Sequence, residues 1–350
     1  MFAVLLIFCA LVSAVSGEPD SKNDVRLQKF LQRYPQADAN GDGVLTLSEA
    51  KAFKQTLQRQ RQKATAEQTA ELPRPEPAFA DVKYGRYERN VLDFYRAESE
   101  KPTPLVVYIH GGGFVAGDKR SVQPIVIQQC LKSGISVAAI HYRFVTTDPF
   151  PAPQMDGARA IQLLRHKAKD WNIDPKRIAA YGGSAGAGIS MFLAFHDDLA
   201  DPNSKDPIAR QSTRLVAVGS FGGQSSYDPR VIQQWIGGRA YEHPSIFKCY
   251  GIKGPDEIDK PELQPIYDKV SAIKHVSKDD PPIFMFYSEP DQDLPPDARP
   301  GQGIHHPRFA HQLAKALDKV GVKYTYRHRS ESKANPHLEM INFFRKQFGM

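Results

Sequence analysis

Cysteine is scarce, with three in 350 residues. Cys9 falls in a leader-like apolar run, which leaves Cys130 and Cys249. Two cysteines so far apart do not make a disulfide framework. Cys130 lies in an apolar helical pattern from Ile125 to Leu131 and reads as a buried thiol. A bridge to Cys249 stays open in an oxidising compartment. Long apolar runs are missing too. Ala3 to Val12 is too short to span a bilayer comfortably, and nothing later resembles a span. Ala14-Val15-Ser16 puts small residues just before Gly17-Glu18-Pro19, so residues 1–16 read as an export signal. With no Lys or Arg after Met1, an uncleaved anchor is the second reading. Dense basic tracts are also absent. The net charge of +7 is spread along the chain without interleaved aromatics, which argues against a nucleic-acid partner.

What is present suits a globular protein with a large core. The hydrophobic fraction is 41% and the charged fraction 24%, both ordinary. The length points to one large domain with a smaller appendage.

Val25, Leu27, Phe30, Leu31 and Tyr34 recur at helical spacing. The stretch Asp38-Ala39-Asn40-Gly41-Asp42-Gly43-Val44-Leu45-Thr46-Leu47-Ser48-Glu49 follows. It fits the loop D-x-[DN]-x-[DN]-G-x5-E without a gap. Asp38, Asn40 and Asp42 supply hard oxygens, Val44 its carbonyl, Thr46 a direct or water-mediated contact, and Glu49 a bidentate carboxylate. Such a set suits calcium. The chain resembles the EF-hand family over about residues 24–60, but as a single hand, with no second hand and no Met-rich groove. Residues 24–66 are thus an EF-hand-like helical segment. Residues 67–80, with Pro73, Pro75 and Pro77, read as a semi-rigid linker.

From residue 81 to 350 short β-branched runs alternate with helical patterns. Expected strands are Val82 to Arg86, Val91 to Tyr95, Leu105 to Ile109, Ile135 to Ile140, a run ending at Ala180, Leu215 to Ser220, Ile283 to Tyr287 and Val322 to His328. Long helices are expected over Gln154 to Trp171, Pro307 to Val320 and His337 to Phe348. The alternation implies an α/β fold with a mostly parallel, doubly wound sheet and helices on both faces.

Two glycine-rich turns carry the chemistry. Tyr181-Gly182-Gly183-Ser184-Ala185-Gly186 joins a strand to a helix as G-x-S-x-G, a turn that would hold the Ser184 hydroxyl clear of the backbone. His110-Gly111-Gly112-Gly113-Phe114 closes an earlier strand. Its glycines let backbone N–H groups approach an oxygen, as an oxyanion needs. A phosphate loop would add Gly-Lys-Ser/Thr, which is absent.

With Tyr142-Arg143, Phe150-Pro151-Ala152, Asp156 and Asp174 to Ile178, these motifs resemble the hormone-sensitive-lipase type of α/β-hydrolase esterase. The resemblance covers about residues 80–350 and is densest from 105 to 195. Gly183 stands where that family usually has Asp, and Ala187 where it has Gly. Tyr142-Arg143-Phe144-Val145 replaces its usual Tyr-Arg-Leu-Ala-Pro-Glu run.

The resemblance implies hydrolysis of carboxylic esters by an acyl-enzyme. Ser184 would be the nucleophile, with Gly112, Gly113 and Ala185 donating N–H groups to the oxyanion. An acid and then a histidine should follow. Family spacing points to Asp291, with Asp293 and Glu289 as alternatives. His337, beyond the last strand, leaves room to swing over the elbow; His328 is the alternative. His305 and His306 read as substrate-loop or surface residues.

The segment 222–280, with Tyr227, Trp235, Tyr241, Phe247 and Tyr250, reads as a wall or lid, and Gln224 and Asp228 as rim residues. The expected substrates are short-chain or acetyl esters, including acylated carbohydrates, in a secreted or periplasmic setting. No cofactor is needed for catalysis. The rival readings are a peptidase or amidase of the same fold, and a non-catalytic calcium-dependent binding protein.

Overall fold

A computed structural model describes residues 18–57 and 73–350. The expected export signal and residues 67–72 of the expected linker lie outside the described residues. The chain divides into two compact units, Met1–Leu72 and Pro73–Met350.

In the first unit, α1 (Val25–Arg33) starts where Asp24 accepts a hydrogen bond from the Arg26 N–H. A second helix, α2, covers residues 47–57. Leu27, Ala37, Leu45 and Ala50 form a small buried cluster with Phe30, Tyr34 and Phe53 against it. A single bridge between Asp20 and Thr46 ties the start of the unit to the loop between the helices.

The second unit is built on eight strands: β1 (Phe79–Lys83), β2 (Val91–Tyr95), β3 (Thr103–Ile109), β4 (Ser136–Ile140), β5 (Ile173–Gly183), β6 (Ala217–Phe221), β7 (Ile283–Tyr287) and β8 (Tyr324–His328). Their order is β1-β2-β4-β3-β5-β6-β7-β8. Strand β2 runs antiparallel to β1 and β4, and from β4 to β8 every pair is parallel. Parallel strands need crossovers, and these place helices on both faces.

The crossovers and flanking segments supply α3 (Pro124–Lys132), α4 (Ala152–His166), α5 (Ala168–Trp171), α6 (Ala185–Phe195), α7 (Pro229–Ile236), α8 (Pro244–Tyr250), α9 (Gln264–Val270), α10 (Arg308–Val320) and α11 (Pro336–Gln347). Alternate residues of the strands point to opposite faces. Val106, Val137, Ala179 and Phe284 pack with Val126, Cys130, Met340 and Phe344 of α3 and α11. Leu105, Val107, Ala138 and Ala180 pack with Ile161, Leu164, Ile189 and Phe192 of α4 and α6. Ile283 and Met285 meet α10 on that second face. Each large side chain so buried contributes about 1.5–3 kcal/mol.

Three expectations shift. β1 runs from Phe79 to Lys83, ending three residues early because the chain turns by Gly85, where Asn90 Oδ1 accepts the Tyr87 N–H. The helix expected over Gln154 to Trp171 breaks into α4 and α5, and Asn172 ends it in the left-handed conformation. Segment 222–280 folds into α7, α8 and α9. Cys130 and Cys249 are both free and buried, in separate clusters. Burial pushes the Cys130 thiol up to about 12.

Candidate active site

The motif serine stands where β5 ends and α6 begins, at the carboxyl edge of the parallel strands, where open α/β sheets place their sites. Ser184 has φ 52° and ψ −119°, a conformation costing a non-glycine residue roughly 1–3 kcal/mol. The turn is closed by the Ser184 N–H on the Phe221 carbonyl, 2.9 Å. A Cβ on Gly186 would fall on the carbonyl oxygen of Ile109, so only glycine lets α6 start this close to β3.

The His110 loop leaves β3 beside the elbow. Its His110 stacks on Tyr142, with ring centroids 4.2 Å apart. Nδ1 donates to the Gly111 carbonyl at 2.8 Å, and Arg89 Nη2 lies 3.3 Å from Nε2. Burial lowers the His110 pKa to about 4, so the ring is a neutral strut at neutral pH. Gly112 has φ 110°, and a Cβ there would overlap the Ala116 carbonyl. The N–H groups of Gly112 and Gly113 donate to no backbone carbonyl among the described residues. Ala185, the first residue of α6, has no intrahelical partner for its N–H. All three residues line one cavity with Ser184.

The imidazole on Ser184 is that of His305. Its Nε2 lies 2.8 Å from Ser184 Oγ, and its Nδ1 lies 3.4 Å from Glu289 Oε1. With Nδ1–H facing the carboxylate, Nε2 is free to accept the serine proton. Both partners come from the loop between β7 and α10.

The sequence-based choices for these two roles are therefore corrected. His337 begins α11 on the other face of the sheet, stacked on Phe221 at 4.6 Å. Burial lowers its pKa to about 4. His328 takes no role at the serine; its Nε2 sits 2.8 Å from the Glu289 carbonyl and steadies that loop. Asp291 lies 3.6 Å from His311 Nε2 and Asp293 pairs with Arg308, so neither carboxylate reaches His305. His306 holds the Gln292 carbonyl at 2.9 Å.

The cavity at Ser184 has a volume of about 450 Å³ and is walled by Phe114, Tyr227, Ile246 and Cys249. Gln224 lines it as well. Asp228 does not: it caps α7 and pairs with Arg230 at 2.7 Å. Of the five aromatics named above, Tyr227 lines this cavity, and Tyr250 holds the Tyr227 carbonyl at 2.7 Å. A larger cavity, about 710 Å³, lies beside β8 and α11 and contains none of these residues.

The chain belongs to the BD-FAE family. The match covers residues 92–299, from β2 to the loop six residues short of His305. Among curated proteins, the chain is similar to a probable carboxylic ester hydrolase, LipM, of Mycobacterium tuberculosis. The two are 27% identical over 219 residues, covering 61% of this chain and 48% of that protein. It is 24% identical over 233 residues to an ethyl acetate hydrolase of Pseudomonas putida, covering 64% of this chain and 66% of that protein. The chain spans about half the length of the first curated relatives it matches. An acetyl ester-xyloside bifunctional hydrolase from Caldicellulosiruptor lactoaceticus superposes with a TM-score of 0.58 at 22% identity, covering 78% of this chain and 93% of that one. A propionate-bound esterase from Thermogutta terrifontis does so at 0.55 and 21%, covering 79% and 96%. These structures share the α/β-hydrolase fold seen here.

The loop of the first unit keeps its oxygen donors on its own backbone. Asp38 accepts from Gly41 and Gly43, Asn40 from Asp42, and Asp42 from Val44. Glu49 reaches back across the loop to the N–H groups of Ala39 and Thr46, 3.2 and 3.0 Å. Those hydrogen bonds, Thr46 first, lower its pKa. Among the described residues no three His, Cys, Asp or Glu side chains already converge on one point. The all-oxygen donor set fits calcium in its chemistry. No helix among the described residues is long and apolar enough to cross a membrane.

Proposed function

We propose that this protein is an exported serine carboxylic-ester hydrolase acting through an acyl-enzyme. One observation carries the reading: His305 Nε2 stands 2.8 Å from the hydroxyl oxygen of a strained elbow serine. His305 takes the Ser184 proton as Oγ bonds to the ester carbonyl carbon. The carbonyl oxygen then gains the charge and meets the N–H groups of Gly112, Gly113 and Ala185, each worth about 3–4 kcal/mol to the transition state. Collapse breaks the bond to the alcohol oxygen, which leaves with the proton from His305. Water then attacks the acyl-enzyme, giving up its proton to His305; the bond to Ser184 Oγ breaks, His305 returns the proton to Oγ, and the acid departs. Glu289 holds the imidazole in the required tautomer. The apolar walls of the 450 Å³ cavity favour a short acyl group, and acylated carbohydrate is the substrate we favour.

Treatment with a fluorophosphonate should label the wild-type protein at Ser184 and leave Ser184→Ala unlabelled. An unlabelled wild-type protein would sink the proposal.

Export and calcium belong to the same reading. The leader at 1–16 supports release from the cell, where calcium is plentiful, and Asp38, Asn40, Asp42, Val44, Thr46 and Glu49 would hold the ion. Calorimetric titration of the full chain should show one calcium site, and Glu49→Gln should weaken it by about a hundredfold through loss of a charged bidentate ligand. No heat from the wild-type protein at millimolar calcium would remove the site.

A further inference from the structure

His243 stands between the two loops that make the site, yet plays no part in the steps above. It precedes α8, and its Nδ1 accepts the Ser245 N–H at 3.2 Å. An acceptor at Nδ1 leaves the proton on Nε2. Burial first, and then the charge of His305, lower the pKa of this imidazole, so that neutral tautomer persists at neutral pH. Nε2 makes no hydrogen bond among the described residues.

The ring's position is fixed on two sides. Its Cδ2 is 2.5 Å from where a Cβ on Gly301 would stand, so that glycine, with φ 78°, lets the His305 loop close against it. Its Cε1 lies 3.9 Å from the corresponding point on Gly113, in the oxyanion loop. Nε2 is bonded to both of these carbons. Its N–H therefore lies between the oxyanion loop and the His305 loop, on a ring that lines the cavity at Ser184.

Two cavities meet at this ring. One is the apolar cavity at Ser184, and the other is a cleft of about 440 Å³ with Glu289, Gln292, Arg299 and Gln302 on its walls. His243 and Ile304 line both. The cleft runs along the His305 loop, and His305 must protonate the departing alcohol, so the alcohol lies on that side. Arg299 forms no ion pair among the described residues, and the walls of the cleft are more polar than those at Ser184.

We propose that His243 is a specificity-determining residue whose Nε2–H donates a hydrogen bond to an oxygen on the alcohol half of the ester, directing a polyhydroxylated alcohol into the cleft bounded by Arg299 and Gln302. This rests on the esterase reading above and adds to it the residue that selects the leaving group. A donor left without an acceptor when an apolar alcohol binds makes the discrimination.

The test holds the acyl group constant and changes the alcohol. One substrate is glucose acetylated on its primary hydroxyl, and the other is ethyl acetate. Their ratio of kcat/KM, sugar ester over ethyl ester, is measured for wild type, His243→Phe, His243→Gln and Arg299→Ala. The wild-type ratio should exceed one. His243→Phe should lower it by about tenfold or more, and His243→Gln, which keeps an N–H donor, should recover most of the loss. Arg299→Ala, an exposed change that the fold tolerates, should lower it about threefold to tenfold. Ratios within twofold of wild type in both His243→Phe and Arg299→Ala would overturn the assignment while ester hydrolysis stands. Hydrolysis of neither ester by the wild-type protein would remove the esterase reading and this assignment together.

Discussion

His305→Ala should lower kcat on p-nitrophenyl acetate by about four to six orders of magnitude, whereas His337→Ala should hold it within about threefold. The first change removes the base 2.8 Å from Ser184 Oγ and the acid that later serves the leaving alcohol. The second removes a ring stacked on Phe221 on the far face of the sheet. It should cost stability alone, about 0.5–1.5 kcal/mol for the lost stack. The carboxylates separate in the same way. Glu289→Gln should lower kcat by about two to four orders of magnitude by releasing the His305 tautomer, while Asp291→Asn should change it by less than about threefold because its partner is His311. Steady-state rates with thermal melts on each variant distinguish chemistry from folding. A near-normal rate for His305→Ala with collapse in His337→Ala would reverse the assignment.

Gly186→Ala should destabilise the second unit by about 3 kcal/mol or more, a drop in Tm of roughly 5–10 °C. The added methyl meets the carbonyl oxygens of Ile109 and His110, the latter at 2.6 Å. Neither can retreat, because Ile109 is held in β3 between β4 and β5. The displaced elbow should also carry Ser184 out of line with His305, so activity falls with stability. Gly183→Ala is the control. A Cβ there meets only the Phe221 carbonyl, at 3.8 Å, and should cost less than about 1 kcal/mol. Differential scanning of the three proteins decides it; equal melting temperatures would mean that the strand and helix can part at Gly186.

The parts of the site that could be read from the chain are those whose geometry is local. The elbow and the His110 loop each fit within a few residues, and their glycines are required by contacts one turn away. The sheet was legible for a similar reason, since strands such as Ile283–Tyr287 are apolar on both faces and cannot be placed elsewhere. The histidine was not legible, and the acid was legible only as one of three candidates, Glu289 standing behind Asp291. The acid and the histidine lie sixteen positions apart on one loop rich in Gly and Pro, folded back by contacts such as His306 on the Gln292 carbonyl and Arg308 on Asp293. The end of β8 and the start of α11, where the histidine was expected, offered two imidazoles with other work: His328 holds the Glu289 carbonyl and His337 stacks on Phe221. The adjacent pair His305-His306 immediately before α10 was the available signal. In the first unit the turn after the first helix was legible from Gly41 and Gly43, both at positive φ, but the bridge from Asp20 to Thr46 was not, as it joins positions with no pattern in common.

The backbone at residue 184 has a practical consequence for anyone preparing an inactive form. A serine at φ 52° is held there by its surroundings, and alanine, which also carries a Cβ, inherits the same conformation and the same tension. Glycine would not, since it occupies that region without penalty. The two inactive proteins would then differ in rest state: one a faithful but silent copy of the enzyme for trapping bound esters, the other a relaxed chain whose elbow no longer stands where the oxyanion donors are aimed.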